Sequence, residues 1–251
     1  MSSISPKHPR AESLRVRERL VEGFRAGMVV PEGLAAHGRG EAFDYLLGER
    51  TTEQARRTAR TAAAALLLAE RPVISVNGNV AALVPKEIVA LAKLANAKLE
   101  VNLFHGSAAR EKKIASWLKK HGAREVFGVD PKFSMKIREI HSDRRKVDGR
   151  GIAGADVVLV PLEDGDRTEA LKKLGKQVIA VDLNPMSRTA RAADVTIVDN
   201  IARAMPLLVE TSRRLSLGRN ELCKILKNFD NRVNLNKSLE LMLKQLERSG
   251  E

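Results

Sequence analysis

The chain has 251 residues, 43% of them apolar, and a formal net charge of +13 from 44 Lys and Arg against 31 Asp and Glu; that length and apolar content suit a globular α/β domain and argue against global disorder. No run of 18 apolar residues occurs, which excludes a transmembrane helix, and Met1–Lys7 lacks the apolar stretch of a secretory signal. The single cysteine, Cys223, excludes an internal disulfide framework and a cysteine metal cluster, so a cytoplasmic location is expected.

From Ala11 onward, Leu14, Arg17, Leu20, Val21, Phe24 and Met28 recur at three- and four-residue spacing, which predicts an amphipathic helix. Arg17 falls on its apolar stripe, an unusual place for an arginine; a snorkelling stem is the ordinary account. Gly38-Arg39-Gly40 is expected to break the chain before a short helix through Phe43, Leu46 and Leu47. Thr51-Thr52-Glu53-Gln54 reads as a capping box, a Thr hydroxyl and Gln54 satisfying free amides, for a helix to about Glu70 that Pro72 closes. Six β-branched runs come next: Val73–Val76, Leu99–Leu103, Glu125–Val129, Asp156–Val160, Gln177–Val181 and Val195–Val198. Helical stretches at Pro85–Asn96, Arg110–His121 and Arg167–Leu174 separate most of them, and three more, Asn200–Leu215, Arg219–Phe229 and Leu235–Arg248, finish the chain. Apolar strands alternating with helices imply a mostly parallel sheet covered on both faces, a Rossmann-like three-layer α/β/α sandwich. The organisation expected is a helical segment over 1–71 that packs on the core or on a dimer partner, an α/β core over 72–200 and C-terminal helices over 201–251, together one structural domain.

Ligands of such sheets bind beyond the carboxyl ends of the strands, so the residues just past each run are the ones to weigh. The candidates are Asn77-Gly78-Asn79 after the first run, Asn102 and His105 after the second, and after the third a basic stretch from Lys132 to Arg150 that includes His141, Arg144, Arg145 and Lys146. Glu163-Asp164-Gly165-Asp166 comes after the fourth, Asp182-Leu183-Asn184 with Ser187, Arg188 and Thr189 after the fifth, and Asp199-Asn200 after the sixth. Each has a plain structural reading as a turn, a helix cap or a solvated charge run. Their convergence on one edge favours a cleft for a nucleotide and a second anion, with carboxylates for ribose or Mg²⁺ and arginines for phosphate. The positive excess is spread over the whole chain, +3, +6 and +4 in the three segments, and aromatic platforms are few. A nucleic-acid-binding protein is therefore the weaker reading. No P-loop, G-x-S-x-G or H-E-x-x-H motif is present, and no G-x-G-x-x-G follows one of the predicted strands. Cys223 lies in a helical pattern and reads as packed. The residues alone stop at an anion- and nucleotide-binding α/β protein of unknown reaction.

Five strings in order go further: His37-Gly38-Arg39-Gly40-Glu41-Ala42-Phe43-Asp44-Tyr45-Leu46, Ile74–Leu83, Glu100–Phe104, Pro161–Leu171 and Val181-Asp182-Leu183-Asn184-Pro185. With them the chain resembles the archaeal 4-phosphopantoate–β-alanine ligase (phosphopantothenate synthetase) family from about Ser5 to the C-terminal helices. The resemblance implies a homodimeric enzyme of coenzyme A biosynthesis that joins 4-phosphopantoate to β-alanine through an acyl-adenylate, releasing AMP and diphosphate. It implies ATP held by Arg17, Arg39, Asp182, Leu183, Asn184, Arg188, Thr189, Asn200 and Ile201, with Mg²⁺ bridging the phosphates; no residue is assigned as a metal ligand, Glu163, Asp164 and Asp166 being weak candidates. For the reaction so implied, Asn77, Gly78, Asn102, Arg144 and Arg145 are expected around the phosphorylated acid, and His105 and Lys146 as catalytic groups. The rival reading is a kinase-like or other nucleotide-dependent enzyme on the same scaffold.

Overall fold

In the computed structural model, which describes residues 4–5, 7–8, 10–140 and 142–249, three helices come first: α1 (Ala11–Arg25), α2 (Pro31–Leu46) and α3 (Glu53–Leu68). His141 of the basic stretch and Met1–Ser3 and Pro6 of the N-terminal stretch lie outside the described residues. Next along the chain are β1 (Val73–Val76), α4 (Gly78–Leu83), α5 (Pro85–Leu94), β2 (Lys98–Val101), α6 (Ala108–Lys120), β3 (Ser134–Lys136) and β4 (Lys146–Asp148). The chain continues with β5 (Val157–Pro161), α7 (Gly165–Lys173), β6 (Gln177–Val181), α8 (Arg188–Ala192), β7 (Val195–Ile197), α9 (Ile201–Arg214), α10 (Arg219–Lys227) and α11 (Asn231–Ser249).

Five strands pair in parallel in the order β2-β1-β5-β6-β7, a doubly wound sheet whose winding reverses between β1 and β5. Their apolar runs are continuous because both faces are covered. Ile74, Val76, Leu159, Ile179, Val181 and Ile197 join a core with α3, α4, α5 and α9, reaching out to Val16 and Leu20 of α1. Val158, Val160, Val178 and Ala180 point the other way, against Ala170 and Leu171 of α7 and Ile137, Ile140 and Ile152. Each such aliphatic side chain contributes roughly 1.5–3 kcal/mol by leaving water, so a polar residue on either parity would break a layer.

Three local expectations are corrected. The third run, Glu125–Val129, makes one bridge to β2 instead of a strand. Phe127 N–H donates to Leu99 O at 2.8 Å and Val101 N–H to Phe127 O at 3.0 Å. Gly128 then turns away at φ 82°, too close to the Val101 carbonyl for a side chain. Gly38-Arg39-Gly40 does not break α2, which runs straight through it from Pro31; tertiary contacts outweigh glycine's low helix propensity there. The capping box is also different. Thr52 Oγ1 accepts from Ala55 N–H at 3.0 Å, while Gln54 Nε2 donates to Asn234 Oδ1 at 2.9 Å and Thr51 Oγ1 to Asp199 at 2.6 Å. On α1 the buried positions are Ala11, Val16, Leu20 and Gly23, which leaves Val21 and Phe24 exposed.

Both sheet edges are covered. The 125–129 segment closes β2, and α11 closes β7 with asparagines: Asn231 Oδ1 accepts from Thr196 N–H at 2.9 Å and Asn234 Nδ2 donates to Thr196 O at 2.8 Å. Side chains here complete the ladder a further strand would have made.

Candidate active site

A cleft of about 720 Å³ opens beyond the carboxyl ends of β1, β5, β6 and β7, with α2 as its facing wall. It straddles the reversal point of the sheet, where neighbouring crossovers leave on opposite faces and cannot fill the gap. Asn77 bridges that point. Its Oδ1 caps α4 through Val80 N–H at 3.0 Å, and its Nδ2 donates to Leu162 O at 2.9 Å. Leu162 adopts the left-handed backbone at φ 54°, a strained conformation for a branched side chain that this bond helps to hold. Gly78 is required sterically, since a Cβ would sit 2.1 Å from Met28 O.

After β6, Asp182 accepts from Ser187 Oγ at 2.5 Å and from Asn184 N–H at 2.9 Å. Burial raises its pKa, opposed by those two donors and by the charge of Arg39. Thr189 Oγ1 donates to Glu163 O at 2.9 Å, tying α8 to the end of β5. Asn200 caps α9 through Ala202 N–H at 3.0 Å and donates Nδ2 to Asp44 Oδ2 of α2 at 2.9 Å. Asp44 also binds Arg203, which reaches Asp199 Oδ1 at 2.7 Å. An Asp44–Arg203–Asp199 clamp thus fixes the facing wall to the sheet.

Beneath the cleft lies a buried charge cluster. Arg144 Nη1 is 2.7 Å from Glu163 Oε1, and its Nε is 2.5 Å from Asp164 Oδ2, a charge contact whose N–H is poorly aimed. The other oxygen of Glu163 takes Arg167, a wholly buried side chain that also donates to Ser75 Oγ at 2.9 Å. Burial raises the pKa of Asp164, against the pull of Arg144.

Of the residues expected at the site, Arg39, Asn77, Gly78, His105, Arg144 and Asp182 line the cleft, as do Leu183, Asn184, Arg188, Thr189, Asn200 and Ile201. Arg188 points outward to Glu169 at 2.9 Å. Four are not brought to it. Arg17 pairs with Glu41 at 2.9 Å behind α2. Asn102 is buried and staples the 144–146 turn, donating to Lys146 O at 2.7 Å. Arg145 is exposed, and Lys146 Nζ sits 3.1 Å from Glu111. The lining residues given no role from the sequence include His37, whose pKa burial lowers, and Arg110. His37 stood within a distinctive string, whereas Arg110 opens Arg110-Glu111-Lys112-Lys113, which looks like any solvated helix face.

Another cavity, of about 750 Å³, lies at the opposite end of β1 and β2, between Arg71, Lys98 and Phe127, and contains none of these residues. Among the described residues, no group of three or more His, Cys, Asp or Glu could hold a metal ion, and no helix is long and apolar enough to cross a membrane.

A sequence model described as phosphopantothenate/pantothenate synthetase matches residues 54–245. Over 253 residues the chain is 54% identical to a protein of Thermococcus kodakarensis named 4-phosphopantoate–β-alanine ligase, covering 100% of this chain and 96% of that one. Proteins with the same name from Thermococcus onnurineus and Methanosarcina mazei are 55% and 50% identical, over 94% and 95% of this chain and 90% and 94% of theirs.

Proposed function

The chain belongs to the phosphopantothenate/pantothenate synthetase family, and on that premise we propose that it is an ATP-dependent ligase condensing 4-phosphopantoate with β-alanine to 4′-phosphopantothenate, a step of coenzyme A biosynthesis. The observation that carries this reading is identity of 50–55% to ligases of that name along nearly the whole chain. The cleft supports it, being within the size range of small-molecule sites and lined by cations and strand-end polar groups.

The chemistry is set by what the new bond requires. A carboxylate is a poor acyl donor, so its oxygen attacks the α-phosphorus of ATP, the bond to the β-phosphate breaks, and diphosphate leaves. β-Alanine nitrogen then attacks the acyl carbon of the mixed anhydride and AMP departs. Bringing two anions together calls for preorganised cations, a part that suits Arg39 in the facing wall. Asp182, Asn184, Thr189, Asn200 and the backbone at Leu183 and Ile201 form the nucleotide side in this reading, Asp182 holding ribose hydroxyls. The attacking amine must shed a proton. His105 takes it in this reading, its ring exposed beside Phe104 at 4.8 Å between centroids. Mg²⁺ would arrive on the triphosphate, because Glu163 and Asp164 are already engaged by arginines.

The reading includes a cytoplasmic homodimer. Leu241, Leu243 and Leu246 on α11 and Phe24 on α1 are exposed apolar side chains available to a second copy, and sedimentation at micromolar concentration tests for one. The purified protein with ATP, Mg²⁺, 4-phosphopantoate and β-alanine is expected to release AMP in step with 4′-phosphopantothenate. ADP and phosphate in that ratio would refute the adenylate, and no amide product would refute the ligase.

A further inference from the structure

Four arginines line the cleft, and the structure divides them by their partners. Arg144 is enclosed by Glu163 and Asp164, and Arg188 is held outward by Glu169. Neither Arg39 nor Arg110 has a carboxylate within ion-pair distance among the described residues. Arg39 lies on the nucleotide side, near enough to Asp182 for its charge to oppose the rise in pKa that burial causes. Arg110 lies across β5, beyond β1 and β2.

The placement of Arg110 is built rather than incidental. Its Nε donates to Met28 O at 2.8 Å and its Nη1 to His105 O at 2.7 Å, which fixes the guanidinium plane. Both acceptors are neutral carbonyls. They orient the group without pairing its charge, and among the described residues three of its five N–H bonds have no acceptor. Nη2 lies over Gly78, 2.9 Å from where a Cβ would be, so the glycine that admits the Met28 carbonyl also admits this guanidinium. Around it are Arg144, of like charge, and Glu32, which attracts it without an ion pair. A half-buried, oriented cation with only carbonyl partners and a second arginine nearby calls for an anion.

We propose that Arg110 is the binding residue for the phosphate monoester of the acid substrate, and that it makes the site select the phosphorylated acid over the free one. This rests on the ligase reading of the same cleft. The free acid would leave the guanidinium unpaired in a partly dry site, the condition under which polar groups discriminate most strongly.

The test compares wild type, Arg110→Gln and Arg110→Lys in steady-state kinetics with 4-phosphopantoate and with unphosphorylated pantoate, and measures ATP binding by calorimetry. The expected result for Arg110→Gln is a KM for 4-phosphopantoate raised about 100-fold, with the preference over pantoate lost and ATP affinity within about twofold of wild type. Arg110→Lys should recover about tenfold, keeping the charge without the fork. In wild type, inorganic phosphate should compete with 4-phosphopantoate and not with ATP. An unchanged KM for 4-phosphopantoate, or an equal or larger loss of ATP affinity, overturns the proposal. If Arg110→Gln does not fold, Arg110→Lys and the phosphate competition decide by the same criteria. A wild type that forms no amide strikes the ligase reading, whereas ligation with the acid's KM indifferent to Arg110 strikes this proposal alone.

Discussion

Glu100 lies under the cleft, wholly buried on β2, and burial pushes its pKa up to about 7. Two backbone donors, Asp148 N–H at 3.0 Å and Ile152 N–H at 2.6 Å, and the charge of Arg167 oppose that rise without cancelling it. The folded-state pKa is above the ordinary carboxylate value of 4.5, so between the two the folded protein holds more proton than the unfolded chain. The stability linked to this group is therefore complete below about pH 4.5 and is lost as pH rises through about 7. Glu100→Gln cannot titrate and keeps one carbonyl acceptor. From pH 5 to 8 wild type is expected to lose up to roughly 3 kcal/mol more than this variant, read from urea unfolding at the two pH values. Parallel stability curves would show that Glu100 stays ionised throughout.

Helix α2 owes its place to the clamp at its far end. Removing the cation with Arg203→Met leaves Asp44 and Asp199 buried without a counter-charge, and breaking such a pair costs about 3–5 kcal/mol. Asn200 loses its fixed acceptor at the same time, so the KM for ATP is expected to rise about tenfold in the fraction that stays folded. A fully stable variant with weakened ATP binding, or the reverse, would separate the two roles. The strand-and-helix rhythm of the fold was legible because five β-branched runs really are buried on both faces. Glu125–Val129 has the same composition yet bridges only once, since Gly128 needs a positive φ, which no periodicity reports. The unbroken course of α2 was hidden because two of its three glycines face partners remote in sequence, Gly33 meeting Asn79 and Gly40 meeting Leu183. At the site, strand-end position located Asn77, Asp182 and Asn200. Whether an arginine is free or neutralised depends on carboxylates such as Glu163, 19 positions from Arg144, so Arg110 looked no different from its neighbours.

Across the whole molecule, the charge of +13 turns out to say little about the cleft, where two of four arginines are paired with carboxylates. The sole tryptophan, Trp117, is half-buried against the core with its Nε1 donating to Ala81 O at 3.0 Å. What matters more is that the walls of the cleft come from distant parts of the chain. The C-terminal helix supports α8 through Asn231, whose Nδ2 donates to Ala190 O and Ala193 O at 2.9 Å. Asn231→Ala should cost about 1–3 kcal/mol and weaken ATP binding severalfold, since α8 carries Thr189; denaturant unfolding and calorimetry check both, and unchanged ATP affinity would confine Asn231 to the edge strand. The clamp also joins Asp44 to Asn200 across 156 positions. During synthesis at roughly 5–20 residues per second, Asp44 therefore waits about 8–30 s for that partner. A ribosome-bound chain that ends before Arg203 lacks the residues that fix the facing wall, so the cleft is completed only late in synthesis.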